Sequence, residues 1–415
     1  MSSAMSAVTP PPIPATTRAL PAGFLRVLRR EIRQIRRRPA LVMMLGPYPL
    51  ILFVLLASIF HAGLPTGLPV AVVDLDGSTL SRQIVQMLDA TPELEIAARL
   101  PNLTEAKAEL VANRVYGIVL IPQHAERDLL AGAHPEIAVF SNSQMMTVGG
   151  IVARGAAGAL STFSAGVSVQ LYQANGLSAE AALAAVNPIP VQQSALFNPA
   201  LAYTEFLLAA VMPTVLQIFI CATAVMAVGR DAHSRAGMAR LVRLGGSPLR
   251  ALAGKLLPYA AAFLGCLWLA DAIIFGYFGA PFRGSLALHL TYSLLYVVTC
   301  LGLGTMLALL VEETVAGLGM AGLLASPAFG FAGISFPRDM MNGFAQAWGA
   351  ILPLTPYLHL RTDQVVRGTP VAQSLPALGW MLALALIYGG IAWLLAGKRA
   401  RALPPLDAER AEVTA

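Results

Sequence analysis

Little of this chain is charged. Of its 415 residues 12% are Asp, Glu, Lys or Arg, whereas a soluble domain carries about 25%; 56% are hydrophobic and the mean hydropathy is +0.67. That balance excludes a globule surrounded by water, which could not cover so much apolar surface, and calls for a bilayer. Cysteine is scarce too. Cys221, Cys266 and Cys300 all lie in apolar stretches, which excludes a disulfide framework and leaves them as small packing residues. The histidines show no paired metal-ligand spacing. No Gly-x-x-x-x-Gly-Lys-Ser/Thr run occurs: Gly254-Lys255 is followed by Leu256 and lacks the upstream glycine. "GLGTML" at 302–307 sits inside an apolar run, where it reads as helix packing and not as a phosphate cradle. The chain is thus expected to bind no nucleotide, nucleic acid or metal itself.

What the chain has in quantity is apolar runs. A spanning helix needs about 20 such residues, and six candidates appear, at 41–60, 204–228, 252–279, 286–310, 315–333 and 376–397. Lys and Arg accumulate on the cytoplasmic side. Arg18, Arg26, Arg29, Arg30, Arg33, Arg36, Arg37 and Arg38 precede the first span. Arg230, Arg235, Arg240, Arg243, Arg250 and Lys255 follow the second, and Lys398, Arg399, Arg401 and Arg410 follow the last. The opposite short loops hold only Arg283, Arg338, Arg361 and Arg367. Both termini are therefore expected in the cytoplasm. The first apolar run is too long, and its polar leader too extended, for a cleaved signal peptide.

The expected fold is an α-helical polytopic membrane protein with six transmembrane helices and an inserted α/β extracytoplasmic domain. Residues 1–21 read as a disordered tail, 22–39 as an amphipathic interface helix, 40–60 as the first span and 61–203 as the external domain. Residues 204–397 hold the other five spans, with a cytoplasmic loop at 229–251 and an external re-entrant segment at 334–375; 398–415 form a cytoplasmic tail. In the external domain "LPVAVVD", "LEIAARL", "VYGIVLIP" and "EIAVFSN" read as strands between helical segments, Thr104 as an N-cap, and 144–186 as helical.

"VVDLDGSTLS" at 72–81 has the look of a phosphatase nucleophile loop. Such an enzyme also needs a lysine for the phosphate and a further acidic pair for Mg²⁺. The external segment offers no adjacent Asp pair, and its one lysine, Lys107, lies in an amphipathic helix. Asp74 and Asp76 are therefore expected to turn the chain, with Ser78 or Asp76 capping the next helix.

In this order and topology several stretches resemble the permease subunits of ABC-2-type transporters, in the subclass with a large external domain. "LPVAVVDLDGSTLSRQIVQMLDATPEL" resembles the family's first external strand and helix, and "VYGIVLIPQHAERDLLAG" its second such unit. "FNPALAYTEFLLAAVMPTVLQ" is similar to the entry into the second span, and "GKLLPY" to the start of the third. "GISFPRDM" and "LPLTPYLHLRTDQVVRGTP" resemble the segment between the last two spans. The resemblance implies a bacterial inner-membrane exporter of an amphipathic substrate (a drug, lipid or lipid-linked molecule). It implies a separate cytoplasmic ABC ATPase that binds ATP and Mg, and a second permease copy or paralogue. It leaves room for a periplasmic adaptor. In "GRDAHSRAGMARLVRLGG", Arg230, Asp231 and Gly237 fit the family's loop, whereas Met238 and Arg240 replace its usual Thr and Glu.

The candidate site residues follow. Arg29 and Arg33 on the interface helix, with Arg230, Asp231, Arg235, Gly237, Met238, Leu241 and Leu244 in the loop, are expected to meet the ATPase. Membrane lipid is the competing partner for the arginines, at about 1 kcal/mol per basic residue near an anionic surface. Phe24, Leu25, Leu28, Ile32 and Ile35 form the interface helix's apolar stripe. Met238, Leu241 and Leu244 form a second stripe that could dock in a partner's groove. Asp271, an intramembrane acid, is a path candidate, with helix bonding as the alternative. Gly333, Phe336, Pro337, Pro353, Pro356 and Tyr357 mark the re-entrant segment, where Gly330 and Gly333 allow close helix approach. A sensor or tether with a ligand-binding external domain is the competing reading, but five clustered spans exceed what signalling needs. A secondary transporter would show inverted repeats and several intramembrane charges.

Overall fold

A computed structural model describes residues 22–61, 66–186, 196–198, 202–234 and 236–401. The expected tail at 1–21, most of the tail at 398–415, and Arg235 lie outside these described residues. The chain divides into two compact units, Met1–His61 with Leu201–Ala415, and Ala62–Ala200.

The first unit begins with α1 (Phe24–Arg36), whose last turn holds Arg33 and Arg36 beside the negative end of the helix dipole. The first span is not one helix but two, α2 (Pro39–Leu45) and α3 (Pro47–Ile59), parted at Gly46. Pro47 and Pro49 supply no N–H to the turn before them, so carbonyls there lose their helical donors. One of these, the Leu45 carbonyl, accepts instead from Cys266 Sγ at 3.3 Å.

In the second unit the strands are β1 (Leu68–Asp74), β2 (Leu94–Leu100), β3 (Gly117–Ile121) and β4 (Ala138–Ser141). Their order is β2-β1-β3-β4, parallel except for β4 against β3. Between them lie α4 (Thr79–Asp89), α5 (Leu103–Val111) and α6 (Ala125–Leu130), and after them α7 (Met146–Ala174) and α8 (Ala179–Val186). The central strand β1 is buried on both faces, as its unbroken apolar run requires. Ala71 and Val73 pack with Ala106 of α5, while α7 lies over the other face, where Val152 comes so near Gly117 that any Cβ there would clash. The cap of α5 is Asn102, two residues before the expected Thr104: its carboxamide oxygen accepts the Glu105 N–H at 2.9 Å.

The Asp-x-Asp turn is fully engaged in shaping the chain. Asp74 Oδ1 accepts the N–H groups of Asp76 and Gly77, both at 3.0 Å, and its Oδ2 accepts the Ser81 hydroxyl at 2.8 Å. Gly77 adopts φ +63°, a conformation open to glycine. Ser78 caps α4 through the Ser81 N–H. Asp76 reaches further than expected: it caps α6, accepting the Glu126 N–H at 3.2 Å.

Back in the first unit, a π-turn at Thr204–Leu208 leads into α9 (Ala209–Ala232). Then come α10 (Gly237–Gly245), α11 (Pro248–Asp271) with a π-turn at Ala272–Tyr277, and α12 (Leu286–Leu310). The fifth span divides into α13 (Thr314–Ala325) and α14 (Ala328–Phe331) around Pro327. Short pieces follow: a 3₁₀ turn at Arg338–Met340, α15 (Gly343–Ala350), α16 (Leu354–Arg361) and a π-turn at Thr362–Arg367. The last span is α17 (Val371–Arg401). Six stretches are long and apolar enough to cross a membrane. Those through α9 and α12 are 61% and 72% buried, whereas the first, fifth and sixth are 17–22% buried, so the centre of the bundle is α9 against α12. Gly304 allows that contact: a Cβ there would lie 2.5 Å from the Cys221 carbonyl oxygen.

Replacing Asp74 by Ala removes both amide acceptors of the turn. At about 1 kcal/mol net per bond, hydrogen exchange of the Asp76 and Gly77 amides in the full chain should accelerate roughly ten-fold or more; unchanged exchange would refute the turn assignment.

Candidate functional site

The buried charged side chains in the membrane unit gather in two clusters. The first joins α1 to the neighbouring ends of α9 and α11. Glu31, the one acid in α1, is fully buried, as is Lys255 in the second turn of α11. Lys255 Nζ donates to Glu31 Oε2 at 2.9 Å and to Asp231 Oδ2 at 2.7 Å. Glu31 Oε1 also accepts from Arg230 Nη2 at 2.7 Å and from the Tyr259 hydroxyl at 2.8 Å. Arg230 extends the network to Gln34 at 2.6 Å, and Arg30 closes it on Asp231 Oδ1 at 2.7 Å. Three cations thus face two carboxylates, each within hydrogen-bonding distance of an opposite charge. In so dry a setting the pairs gain little net stability over an apolar equivalent, but losing one partner strands a charge at about 3–5 kcal/mol. The cluster therefore works as a register pin. It admits one seating of α1, and the backbones close up around it: a Cβ on Gly254 would lie 2.7 Å from the Phe24 carbonyl oxygen.

The loop residues expected to meet a partner lie mostly inside this seat. Asp231 is consumed by the cluster, and Arg230 is held in it through Nη2, while its Nε and Nη1 are buried with no partner among the described residues. Gly237 is needed sterically, since a Cβ would meet Ser234 Oγ at 1.9 Å and the Asp231 carbonyl at 2.5 Å. The Met238, Leu241 and Leu244 stripe is a correction. Met238 and Leu241 are buried in the bundle's own core and Leu244 is packed against it, so no apolar face of α10 remains for a partner's groove. The α1 stripe is also redistributed: Val27 and Glu31 face the bundle, while Leu25 and Ile32 are exposed. Arg29 and Arg33 on α1, and Arg240 and Arg243 on α10, stay exposed. At the same end Arg399 of α17 donates to the Ala232 and Val311 carbonyls, where α9 and α12 finish.

The second cluster lies farther along α11. Asp271 is sixteen residues beyond Lys255, about 24 Å at 1.5 Å per residue. It is the last residue before a π-turn, and Arg361 is likewise the last before another. Arg361 Nη1 donates to Asp271 Oδ1 at 2.6 Å and to the Tyr357 hydroxyl at 3.2 Å. Asp271 Oδ2 faces His289 Nε2 at 2.8 Å, and His289 Nδ1 faces the Tyr292 hydroxyl at 2.5 Å. All of these residues are buried. Asp271 therefore bonds neighbouring helices, the alternative raised by the sequence, and is not an isolated carboxylate.

In the 334–375 segment Gly333 (φ +84°) makes room for Arg338, whose guanidinium donates to the Phe331 and Gln346 carbonyls at 3.2 and 2.9 Å. Gly330, by contrast, has open space around it. Phe336 is exposed and Pro337 starts the 3₁₀ turn. Pro353 precedes α16 and Pro356 sits in its first turn, where a missing N–H costs nothing. Pro356 thus begins a helix instead of breaking one. Tyr357 is buried between Tyr292 and Tyr296, with ring centroids at 5.6 and 4.1 Å.

Glu31, Arg30, Lys255, His289 and Arg361 escaped sequence reasoning as site residues. Glu31 stands alone among arginines on the Phe24, Val27, Gln34 face, a signal that could have been read. Arg361 looks like any external arginine, and nothing near it in sequence points to Asp271. A match to the family described as ABC-2 family transporter protein runs over residues 39–394. This chain belongs to that family. Curated relatives agree with the match. The probable multidrug ABC transporter permease YbhS of Escherichia coli K12 is 24% identical over 378 residues, covering 89% of this chain and 95% of that protein; its counterpart in E. coli O157:H7 gives the same figures. The ABC-2 assignment accounts for the multi-pass architecture with its α/β insertion.

Glu31→Ala should strand Arg230, leave Lys255 with Asp231 as its one carboxylate, and lower the stability of the purified full chain by about 3–5 kcal/mol. The Glu31→Ala/Lys255→Met double variant should lose much less than the sum of the singles. Additive losses in thermal unfolding would show that the two side chains are not coupled.

Proposed function

We propose that the chain is the membrane subunit of an ATP-driven exporter, powered by a separate cytoplasmic ABC ATPase. The observation carrying this reading is the Glu31–Lys255–Asp231 cluster. It fastens the peripheral helix α1 to α9 and α11, so a push on α1 is delivered to the spans and not absorbed by a loose tether. ATP and Mg belong to the partner, because no phosphate loop occurs in this sequence. The partner would meet the exposed arginines, Arg29 and Arg33 of α1 with Arg240 and Arg243 of α10, and the buried apolar stripe of α10 takes no direct part. The distribution of Lys and Arg supports a cytoplasmic location for this end and for both termini.

Six spans supply half of an export path, so a second permease copy or paralogue completes it, in a bacterial inner membrane. An amphipathic substrate fits a bundle whose buried charges are few and clustered, and the multidrug description of YbhS agrees with it. Asp271 and Arg361 stand at the path's outer half, and the α/β unit lies outside the cytoplasm, where a periplasmic adaptor would reach it.

Charge reversal at Arg29 and Arg33 together tests this reading. The variant should fold with unchanged thermal stability, because neither residue is in the cluster, and should lose most of the co-purifying ATPase at moderate salt. Full retention of the ATPase, or absence of any ATPase from the wild-type preparation, would sink it.

A further inference from the structure

Arg361 uses only one of its nitrogens. Nη1 serves Asp271 and Tyr357, the Phe275 ring lies 5.5 Å from the guanidinium carbon, and Nε and Nη2 are buried with no partner among the described residues. Nε–H and one Nη2–H point the same way from the planar group, and together they form the side-on fork that matches two oxygens of a carboxylate or phosphate. A buried donor left empty is costly, and here two are left empty on one edge in an apolar bundle. The rings of Tyr292 and Tyr296 on α12 pack against Tyr357, whose hydroxyl accepts from Arg361 Nη1.

We infer that the free edge of Arg361 is a binding subsite for an oxyanion, the carboxylate or phosphate head of an amphiphile whose apolar part lies among the surrounding aromatic rings. Asp271 holds the guanidinium charged and oriented while the subsite is empty, and it competes with the ligand for it. His289 and Tyr292 extend the chain of hydrogen bonds behind Asp271, keeping that carboxylate in place when the ligand takes its share of the guanidinium. The inference rests on the exporter reading only in treating the amphiphile as cargo. The binding itself needs no ATPase, so its failure and the failure of that reading are separable.

The test uses the full chain in zwitterionic phosphatidylcholine nanodiscs, with empty nanodiscs as the partition control. Probes sharing one alkyl chain differ in their head: dodecyl phosphate, dodecanoate and dodecanol, read by isothermal titration. Either anionic probe should bind about ten-fold or more tighter than the alcohol, as a charge-assisted fork should. Arg361→Lys keeps the charge but loses the fork and should cut that preference to roughly three-fold or less. Asp271→Asn removes the competing carboxylate and should tighten the anionic probes, an effect opposite to simple damage. Equal binding of anionic and neutral probes to the wild-type chain overturns the proposal without any variant having to fold. Displacement of dodecyl phosphate by dodecanoate, but not by inorganic phosphate at the same concentration, supports an amphiphile. Equal displacement by inorganic phosphate overturns that assignment.

Discussion

A buried carboxylate in an apolar helix bundle has to find its counter-charge, and in this protein that requirement decides where α1 goes. Glu31 is buried against α11 with Lys255, Arg230 and Tyr259 all donating to its carboxylate. Lys255 in turn needs both Glu31 and Asp231. Hydrophobic burial would accept many seatings of an amphipathic helix at a membrane edge, since slipping it by a turn exchanges one apolar residue for another. The ionic cluster accepts one. The close contact of Gly254 with the Phe24 backbone and the bond from the Gly23 N–H to the Leu244 carbonyl at 2.8 Å follow from that register.

The same rule governs the other end of α11. Asp271, Arg361 and His289 come from three elements that share little sequence proximity, and they are held together by charge and hydrogen bonding in a buried place. Both Asp271 and Arg361 sit where an α-helix widens into a π-turn. Such turns shift the side chains that follow them, and they recur at functional sites. The external unit offers the contrast. Asp74 and Asp76 are also hydrogen-bonded carboxylates, but their partners are the N–H groups of the turn, the Ser81 hydroxyl and the Glu126 N–H at the start of α6. In water that role is local and structural. In the bundle the same side-chain type can be satisfied only by a distant cation, which makes it a link between elements.

This difference explains what the sequence disclosed. The six spans and the four strands were legible because each is written in its own stretch, as an apolar run of a length that only one element satisfies. The turn at 72–81 was legible for the same reason, since the bonds of the Asp74 carboxylate reach no farther than Ser81. The break at Gly46 was missed although Pro47 and Pro49 announce it, because the composition of a spanning run hides a local loss of donors. The seating of Met238 and Leu241 was misread because periodicity shows that a face is apolar without showing what covers it. Arg361 was out of reach: the charge that gives it meaning lies 90 positions earlier in the chain.

Two ionic anchors on one helix constrain how such a bundle can move. α11 carries Lys255 near one end and Asp271 near the other, about 24 Å apart. The helix between them, which carries Pro258 in its interior, links the two anchors, and packed interiors change between discrete arrangements and do not deform continuously. Within the proposed function, a thrust on α1 acts on α11 through Lys255 and must appear at Asp271 as a change in the geometry of Arg361. The unused edge of that guanidinium is then more than an unsatisfied group. It is where a displacement begun at α1 would meet the molecule to be moved.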